Sequence, residues 1–395
     1  MSDLWIDIDL DAIVSNYQEV IKHLKPASRC MAVVKANAYG MGAVTIAQAL
    51  EQAGCQAFAV TKVDEGLSLR RSGVSGLILV LGPSSPSDWA EAVAADLHLT
   101  IADISGVEGL EEIARQQGRQ VNIHLKIETG MGRTGIVPAE LADLAVALQR
   151  SPHVRVVGVY THFARAAQRD RTYMDIQYQL FQTAVRRLQE LQIDGFWQHV
   201  CNSAAFLDYP EWQHDFVRVG TLLIGHFPAP AFAGRLSLRD PWSAKGRIVY
   251  MHKVSKGTFV GYQSIYRTKR NTRLVLIAAG YADGFGLEPH LTPQGWWDLG
   301  KIVVKNLAAL FGIFLGQEKI TINGQVVRVA GKIGMQLTVL DVGDLECLVG
   351  DEVTIPIRRT LANPYIERRY WQNGKILAKT ILKEGVSTLN KECSH

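Results

Sequence analysis

Lys35 stands at the end of an apolar run, in MAVVKANAYG (31–40). Lysine is rare next to buried-type residues unless its charge is compensated or removed. Condensation with a carbonyl compound does both jobs: a Schiff base removes the simple ammonium and anchors a carbonyl cofactor covalently. A lysine that snorkels to water from a strand end is the plain alternative, and spacing alone leaves the two balanced. Other polar residues occupy comparable places further on. Lys126 lies in an apolar run, with Arg133 in the glycine-rich ETGMGRTG that follows; His162 ends GVYTH; Asn202 and Ser203 follow another run; Arg218 precedes Gly220 and Thr221. Singly, His162 reads as a satisfied core histidine and Arg218 as a surface partner. Residues of this kind at the same end of successive runs point to one site.

The elements that would position them alternate. Strand-like runs fall at Met31–Lys35, Ala57–Val60, Leu77–Leu81, Leu97–Ala102, Val121–Ile127, Val154–Thr161, Gln198–Asn202 and Phe216–Val219. Amphipathic segments such as Ala43–Ala53, Asp64–Ser72, Pro138–Arg150 and Met174–Leu191 lie between them. Eight strands alternating with helices predict an α/β fold with a closed (β/α)8 barrel. An open doubly wound sheet is the alternative, but no GxGxxG follows the first strand. In such barrels chemistry gathers where strands end, and the loops after strands seven and eight often hold phosphate. Ser203, Gly220 and Thr221 fall there. After about residue 235 short β-like runs follow one another (246–252, 258–260, 272–278, 326–329, 338–341 and 352–355). Asn323-Gly324 and Asn373-Gly374 signal hairpin turns, so a second, mainly β domain is expected. The last ten residues or so read as frayed.

Composition sets bounds. The 395 residues suffice for two domains, and 47% hydrophobic with 20% charged residues fit a soluble globular protein. A net charge of +4 gives no argument for nucleic acid. Five widely spaced cysteines without CxxC or Cys/His spacing read as reduced thiols of a cytoplasmic protein and predict no metal site. The acidic N-terminus lacks a signal pattern, and the apolar stretch 302–316 is too short for a comfortable membrane span and contains Lys305.

AVVKANAYGMG resembles the cofactor-lysine motif of the alanine racemase family, pyridoxal-phosphate enzymes with a barrel followed by a β domain. LKIETGMGRTG, GVYTHFA, CNSAA and FVRVG match the family in order and spacing. So do WIDIDLDAI, VGYQSIY, AGYADGF, GKIGM and NPYIERRY. The resemblance covers most of the chain. It implies a barrel over 12–235 and a β domain of 1–11 plus 236–395. It also implies a homodimer whose subunits share active sites, pyridoxal 5'-phosphate as cofactor, and racemisation of a small neutral amino acid, alanine first and serine second. By resemblance Lys35 forms the Schiff base and serves as one base, with Tyr262 of the other subunit as the opposing one. Arg218 faces the pyridine nitrogen, and His162 lies beside the ring. Tyr39, Asn202, Ser203, Gly220, Thr221 and Tyr365 belong to the cofactor's surroundings, mostly its phosphate. Arg133 and the Met335 backbone meet the substrate carboxylate, Lys126 is the lysine that is often carbamylated, and Tyr281 is the gate of the entry channel.

These types suit the chemistry. Racemisation takes a proton from one face and returns it on the other, so two opposed bases avoid one group crossing the plane. An arginine at the pyridine nitrogen has no proton to accept and weakens the electron sink, which argues against aminotransferase-like or decarboxylase-like use. A non-catalytic carrier is the remaining rival, and relatives of that kind lack the β domain. The sequence departs from the family at Ala167, Gln336, Ile224 and Met41. The segment 286–318, with Trp296, Trp297 and an apolar helix-like run Val303–Leu315, is longer than usual. The lost carboxylates at Ala167 and Gln336 bear on substrate access and leave the reaction type in place; the 286–318 segment reads first as an added packing element or dimer contact, and as a remodelled gate in the sharper alternative.

Overall fold

The computed structural model describes residues 2–287, 295–310 and 319–381. The chain opens with a strand, β1 (Leu4–Asp9), whose last residue caps the helix Leu10–Lys22: Asp9 Oδ1 accepts from the Ala12 N–H. Eight parallel strands follow: β2 (Arg29–Val33), β3 (Ala57–Val60), β4 (Leu77–Val80), β5 (His98–Ile101), β6 (Val121–Lys126), β7 (Val154–Tyr160), β8 (Trp197–His199) and β9 (Phe216–Val219). Their order is β8-β7-β6-β5-β4-β3-β2-β9, and Arg218 N–H donates to the Cys201 carbonyl at 2.9 Å, linking the two ends of the sheet into a barrel. Burial on both faces explains why these strands read as continuous apolar runs; β3, β5 and β9 are buried at every residue.

The predicted helices form within a few residues of expectation, at Ala43–Gln52, Val63–Arg71, Leu141–Gln149 and Arg171–Glu190. One strand end differs in a way that matters. β2 stops at Val33, and Lys35 opens a left-handed turn rather than ending a strand.

The β domain holds β10 (Trp242–Val254), β11 (Phe259–Val260), β12 (Tyr266–Arg267), β13 (Thr272–Ile277), β14 (Ile320–Ile322), β15 (Gln325–Val329), β16 (Thr338–Gly343), β17 (Glu352–Thr354), β18 (Glu367–Gln372) and β19 (Lys375–Thr380). All except the β11–β12 ribbon join one sheet with β1, in the order β13-β16-β15-β14-β17-β10-β1-β18-β19. The long β10 also pairs with β13, so six of these strands close on themselves; a register shift between Ile248 and Tyr250 turns β10 from one set of partners to the other. Both Asn-Gly turns join hairpins, β14–β15 and β18–β19, with positive φ at each central residue. β1 lies between β10 and β18, tying the N-terminus into this sheet.

The helix Trp296–Leu310 lies within the unusual segment, with Trp296 and Trp297 89% and 80% exposed; the end of the predicted Val303–Leu315 run lies outside the described residues, as do the frayed terminus and Cys393. Cys30, Cys55, Cys201 and Cys347 are free and buried. Among the described residues no helix is long and apolar enough to cross a membrane, and no three or more His, Cys, Asp or Glu side chains are grouped so as to hold a metal ion.

Candidate functional site

Lys35 follows β2 by two residues, and β2 lies beside β9 with Met31 opposite Arg218 and Ala32 opposite Val219. Its own turn is unusual. Ala36, Asn37, Ala38 and Tyr39 all take left-handed angles, φ between 50° and 57°. Each such residue costs about 1–2 kcal/mol, so the surroundings must enforce the conformation. Glu65 accepts the Ala36 N–H at 2.5 Å, and the Asn37 side chain accepts the Ala43 N–H at 2.7 Å. The second domain clamps the exit: Tyr370 donates to the Met41 carbonyl, and Arg368 reaches the Gly40 carbonyl. Glycine is required here, since a side-chain carbon at Gly40 would lie 2.3 Å from the Arg359 carbonyl oxygen and one at Gly42 2.0 Å from the Tyr370 hydroxyl. Strain of this kind, held by two domains around one lysine, marks a functional position.

Polar groups converge beside that turn. Ser203 begins a short helix whose cap is Asn202, the Asn202 oxygen accepting from the Ala204 and Ala205 amides. Ser203 Oγ accepts from the Gly220 N–H at 3.2 Å. A side-chain carbon at Gly220 would fall 2.1 Å from the Tyr39 hydroxyl, so the backbone there approaches Tyr39 closely. Thr221 Oγ1 is buried without a hydrogen-bond partner. A buried hydroxyl with no partner is costly, and a hydroxyl-and-amide cradle of this composition fits a phosphate group.

Arg218 is 3% exposed, and its partners are neutral: Nη1 donates to the His199 carbonyl and faces His199 Nδ1 at 2.9 Å, while Nη2 donates to the Thr161 and Val200 carbonyls. Burial lowers its pKa to about 10. His162 is pushed down to about 3, first by burial and then by the charges of Arg218, Arg133, Lys126 and Lys35. Four cations around one imidazole make a positive cup suited to an anionic ligand. Lys126 is 3% exposed and donates to Thr134 Oγ1 at 2.5 Å; burial, Arg133 and Arg218 lower its pKa to about 8. The glycine-rich loop carrying Arg133 is gathered by Glu128, whose carboxylate accepts N–H bonds from Gly130, Met131, Gly132 and Arg133.

A second set of expected residues sits on loops of the β domain. Tyr281 N–H donates to the Gly334 carbonyl and Ala282 N–H to the Met335 carbonyl, so the Tyr281 and Met335 loops are held together. Gly261, just before Tyr262, lies against Gly331 of the same loop system, and Lys332 donates to Gln263. Tyr262, Met335 and Tyr281 are 79%, 59% and 44% exposed. Among the described residues no hydrogen bond joins them to Lys35, His162 or Arg218. Tyr365, 59% exposed, lies between the two sets: nearby Arg368 reaches Gly40, and Asn363 donates to the Ala282 carbonyl. Glu65, Glu128, Thr134 and Tyr370 escaped sequence reasoning. Only Glu65 carried a signal, as an acid in the first turn of a helix.

Residues 8–228 match the family described as alanine racemase, N-terminal domain, and residues 242–368 match alanine racemase, C-terminal domain. The alanine racemase of Desulforamulus reducens is 34% identical over 356 residues, covering 89% of each chain; that of Clostridium tetani is 32% identical over 92% of this chain and 95% of its own. Among solved structures, the alanine racemase of Clostridium difficile 630 superposes with a TM-score of 0.85 at 26% identity, covering 96% of this chain and 98% of that one. The alanine racemase of Bacillus anthracis with bound L-Ala-P gives 0.82 at 28% identity, covering 96% and 97%. Lys35 on its strained turn, the cradle beside it and both domains agree with these matches: the chain belongs to the alanine racemase family.

Proposed function

We propose that this protein is a pyridoxal 5'-phosphate-dependent racemase that interconverts L- and D-alanine by a two-base mechanism, acting as a homodimer in the cytoplasm. The observation that carries the reading is the placement of Lys35 in a cationic cup beside a cradle containing the unpartnered Thr221 hydroxyl. When bound, the cofactor supplies the conjugated ring that delocalises charge left at the α-carbon. Ser203, Gly220, Thr221 and Tyr39 would hold its phosphate, and Lys35 would join its carbonyl carbon. Arg218 would meet the pyridine nitrogen as a donor that has no proton to accept. Its partners are carbonyls and an imidazole, with no carboxylate among the described residues, which disfavours the decarboxylase reading.

Lys35 Nζ then holds or releases the proton on one face, and the Tyr262 hydroxyl does so on the other. The exposure of Tyr262, Met335 and Tyr281 and the absence, among the described residues, of a hydrogen bond from them to Lys35, His162 or Arg218 support a contribution from the second subunit. In a dimer the partner's loops would bring the phenol to the cup and exclude water from it. Arg133 and the Met335 backbone would orient the substrate carboxylate. Lys126, with its pKa lowered to about 8, has a substantial neutral fraction that could add carbon dioxide with release of a proton, and a carbamate there would lock Arg133 by a charge-assisted bond. The division into 12–235 and a β domain of 1–11 plus 236–395 is supported by β1 lying within the β-domain sheet.

The test is chiral chromatography of the cofactor-loaded protein with single L-amino acids. D-Alanine appearing ahead of all others is the expected result. Serine in first place would favour the alternative substrate, with exposed Gln336 and the 286–318 segment as the cause. Bound cofactor without inversion of any amino acid would overturn the reading and revive the carrier.

A further inference from the structure

Three histidines that the proposed mechanism does not use form a column through the barrel core. His199 ends β8, His124 lies within β6 and His98 begins β5, so the column descends from the rim carrying Arg218 to the opposite, N-terminal end of the strands. Arg218 Nη1 faces His199 Nδ1 at 2.9 Å, His199 Nε2 faces His124 Nδ1 at 2.9 Å, and His124 Nε2 faces His98 Nδ1 at 3.1 Å. His98 is 8% exposed and the other two 0%. The space is built for them: a side-chain carbon at Gly158 would fall 2.1 Å from His124 Nδ1, and Tyr160 stacks on His199 with ring centroids 4.8 Å apart.

The direction of every bond in this column follows from one chemical fact. A guanidinium has donors and no acceptor, so His199 Nδ1 must present its lone pair. The His199 proton then sits on Nε2 and is donated to His124 Nδ1. By the same step His124 carries its proton on Nε2 and donates to His98 Nδ1, and His98 keeps an Nε2–H. All three imidazole dipoles point the same way, lone-pair ends toward Arg218, and aligned bonds of this kind polarise one another. His98 also lines a cavity of about 470 Å³ at the N-terminal end of the barrel, with Arg70, Asp96, Asn122, Arg155 and Trp197.

We propose that His199, His124 and His98 are positioning residues that act as one single-tautomer column, holding Arg218 as a cation by aligned neutral dipoles in place of a carboxylate, with His98 as its far terminus. The inference rests on the reading of Arg218 as the group facing the ring nitrogen, but its structural part can be tested without cofactor. Burial keeps all three rings neutral, with Arg218 opposing charge on His199 and His124; at His98, Asp96 pulls the other way and Arg70 reinforces burial.

The experiment is nitrogen NMR of the cofactor-free full-length chain labelled in its histidines. Each of the three rings is expected as the pure Nε2–H tautomer, unchanged from pH 6 to 9, although an ordinary imidazole, with a pKa of about 6.5, is mostly protonated at the lower end. An Nδ1–H tautomer, a mixture, or protonation of any of the three overturns the column. His98→Leu removes the terminal acceptor but not the Arg218 donor that sets the direction, so His124 is expected to keep its Nε2–H tautomer with that N–H unpaired, read as a changed Nε2 nitrogen shift. In the loaded enzyme the same change is expected to lower kcat about tenfold with KM little changed, in line with coupling carried through packed polar networks. His98→Gln, whose amide oxygen can accept from His124, should restore both. An Nδ1–H His124 in a folded His98→Leu protein, an unmoved Nε2 shift there, or failure of the glutamine to rescue where leucine disrupts, would also overturn the proposal. Absence of racemisation in the unaltered protein would count against the proposed function and leave the tautomer result standing.

Discussion

On the barrel rim Lys126 and Arg218 are 3% exposed and Ser203 8%; on the β-domain loops Tyr262 is 79% and Met335 59% exposed. Barrel residues are fixed by neighbours from several elements and from both domains. The loops are fixed mainly by one another, with Phe259, Ile265 and Leu337 also exposed around them. Apolar surface clustered in this way calls for a covering partner. The contrast fits the proposed reading, in which one chain carries two unlike halves: a buried cup for the cofactor, and an exposed face that would complete the cup of a second subunit. In a two-fold dimer the same pairing recurs at both sites.

The comparison can be broken at several points, the largest effect first. Lys35→Ala should abolish both turnover and the absorbance change on adding pyridoxal phosphate; retained turnover would remove the lysine from the chemistry. Tyr262→Phe should keep the absorbance change but lose about 10²–10⁴-fold in rate, mainly for proton abstraction from one enantiomer. A fall in cofactor affinity in place of that asymmetry would make Tyr262 part of the cup. Thr221→Val separates cofactor binding from folding. Loss of an unpartnered hydroxyl should leave the cofactor-free protein as stable or slightly more so, while weakening cofactor binding about tenfold, as expected for one phosphate hydrogen bond. Lower stability without cofactor would mean that the hydroxyl already has a partner.

The smallest effect concerns Lys126. Its folded pKa, about 8, is below the ordinary lysine value, so between about pH 8 and 10.5 the unfolded chain binds a proton that the folded chain has released. Stability should therefore gain with rising pH over that window, measured in cofactor-free protein without carbon dioxide. Lys126→Met should remove this gain; an unchanged pH dependence would contradict the depressed value.

Sequence legibility divides along the same line. Most of the eight barrel strands are readable because burial on both faces makes them short apolar runs, as in β3 and β4, and all are bounded within a residue or three. β18 and β19 were not read as strands, except through the Asn373-Gly374 turn between them. ERRYWQ looks like charged surface, yet Arg368 is 1% exposed and bonded to carbonyls while Arg369 lies over the Trp5 ring. β14 is only three residues long, too short for a periodicity. At the site, residue types and order pointed to Lys35, Arg218 and their companions, but the left-handed turn was hidden. Ala, Asn, Ala and Tyr do not announce positive φ; contacts from Glu65, Arg368 and Tyr370 impose it. The histidine column was hidden for a similar reason, since residues 98, 124 and 199 meet only once the barrel closes.

The most direct test of the divided site is subunit complementation. Lys35→Ala lacks a functional cup but keeps its loops, and Tyr262→Phe has the reverse defect. Each alone should be inactive. Dissociated, mixed in equal amounts and reassociated, they should yield mixed dimers with one intact site each, and about a quarter of the unaltered activity for random pairing. Recovery near that level is the predicted result. No recovery, with mixed dimers demonstrated by mass spectrometry, would place Lys35 and Tyr262 in the same subunit's site and contradict the account.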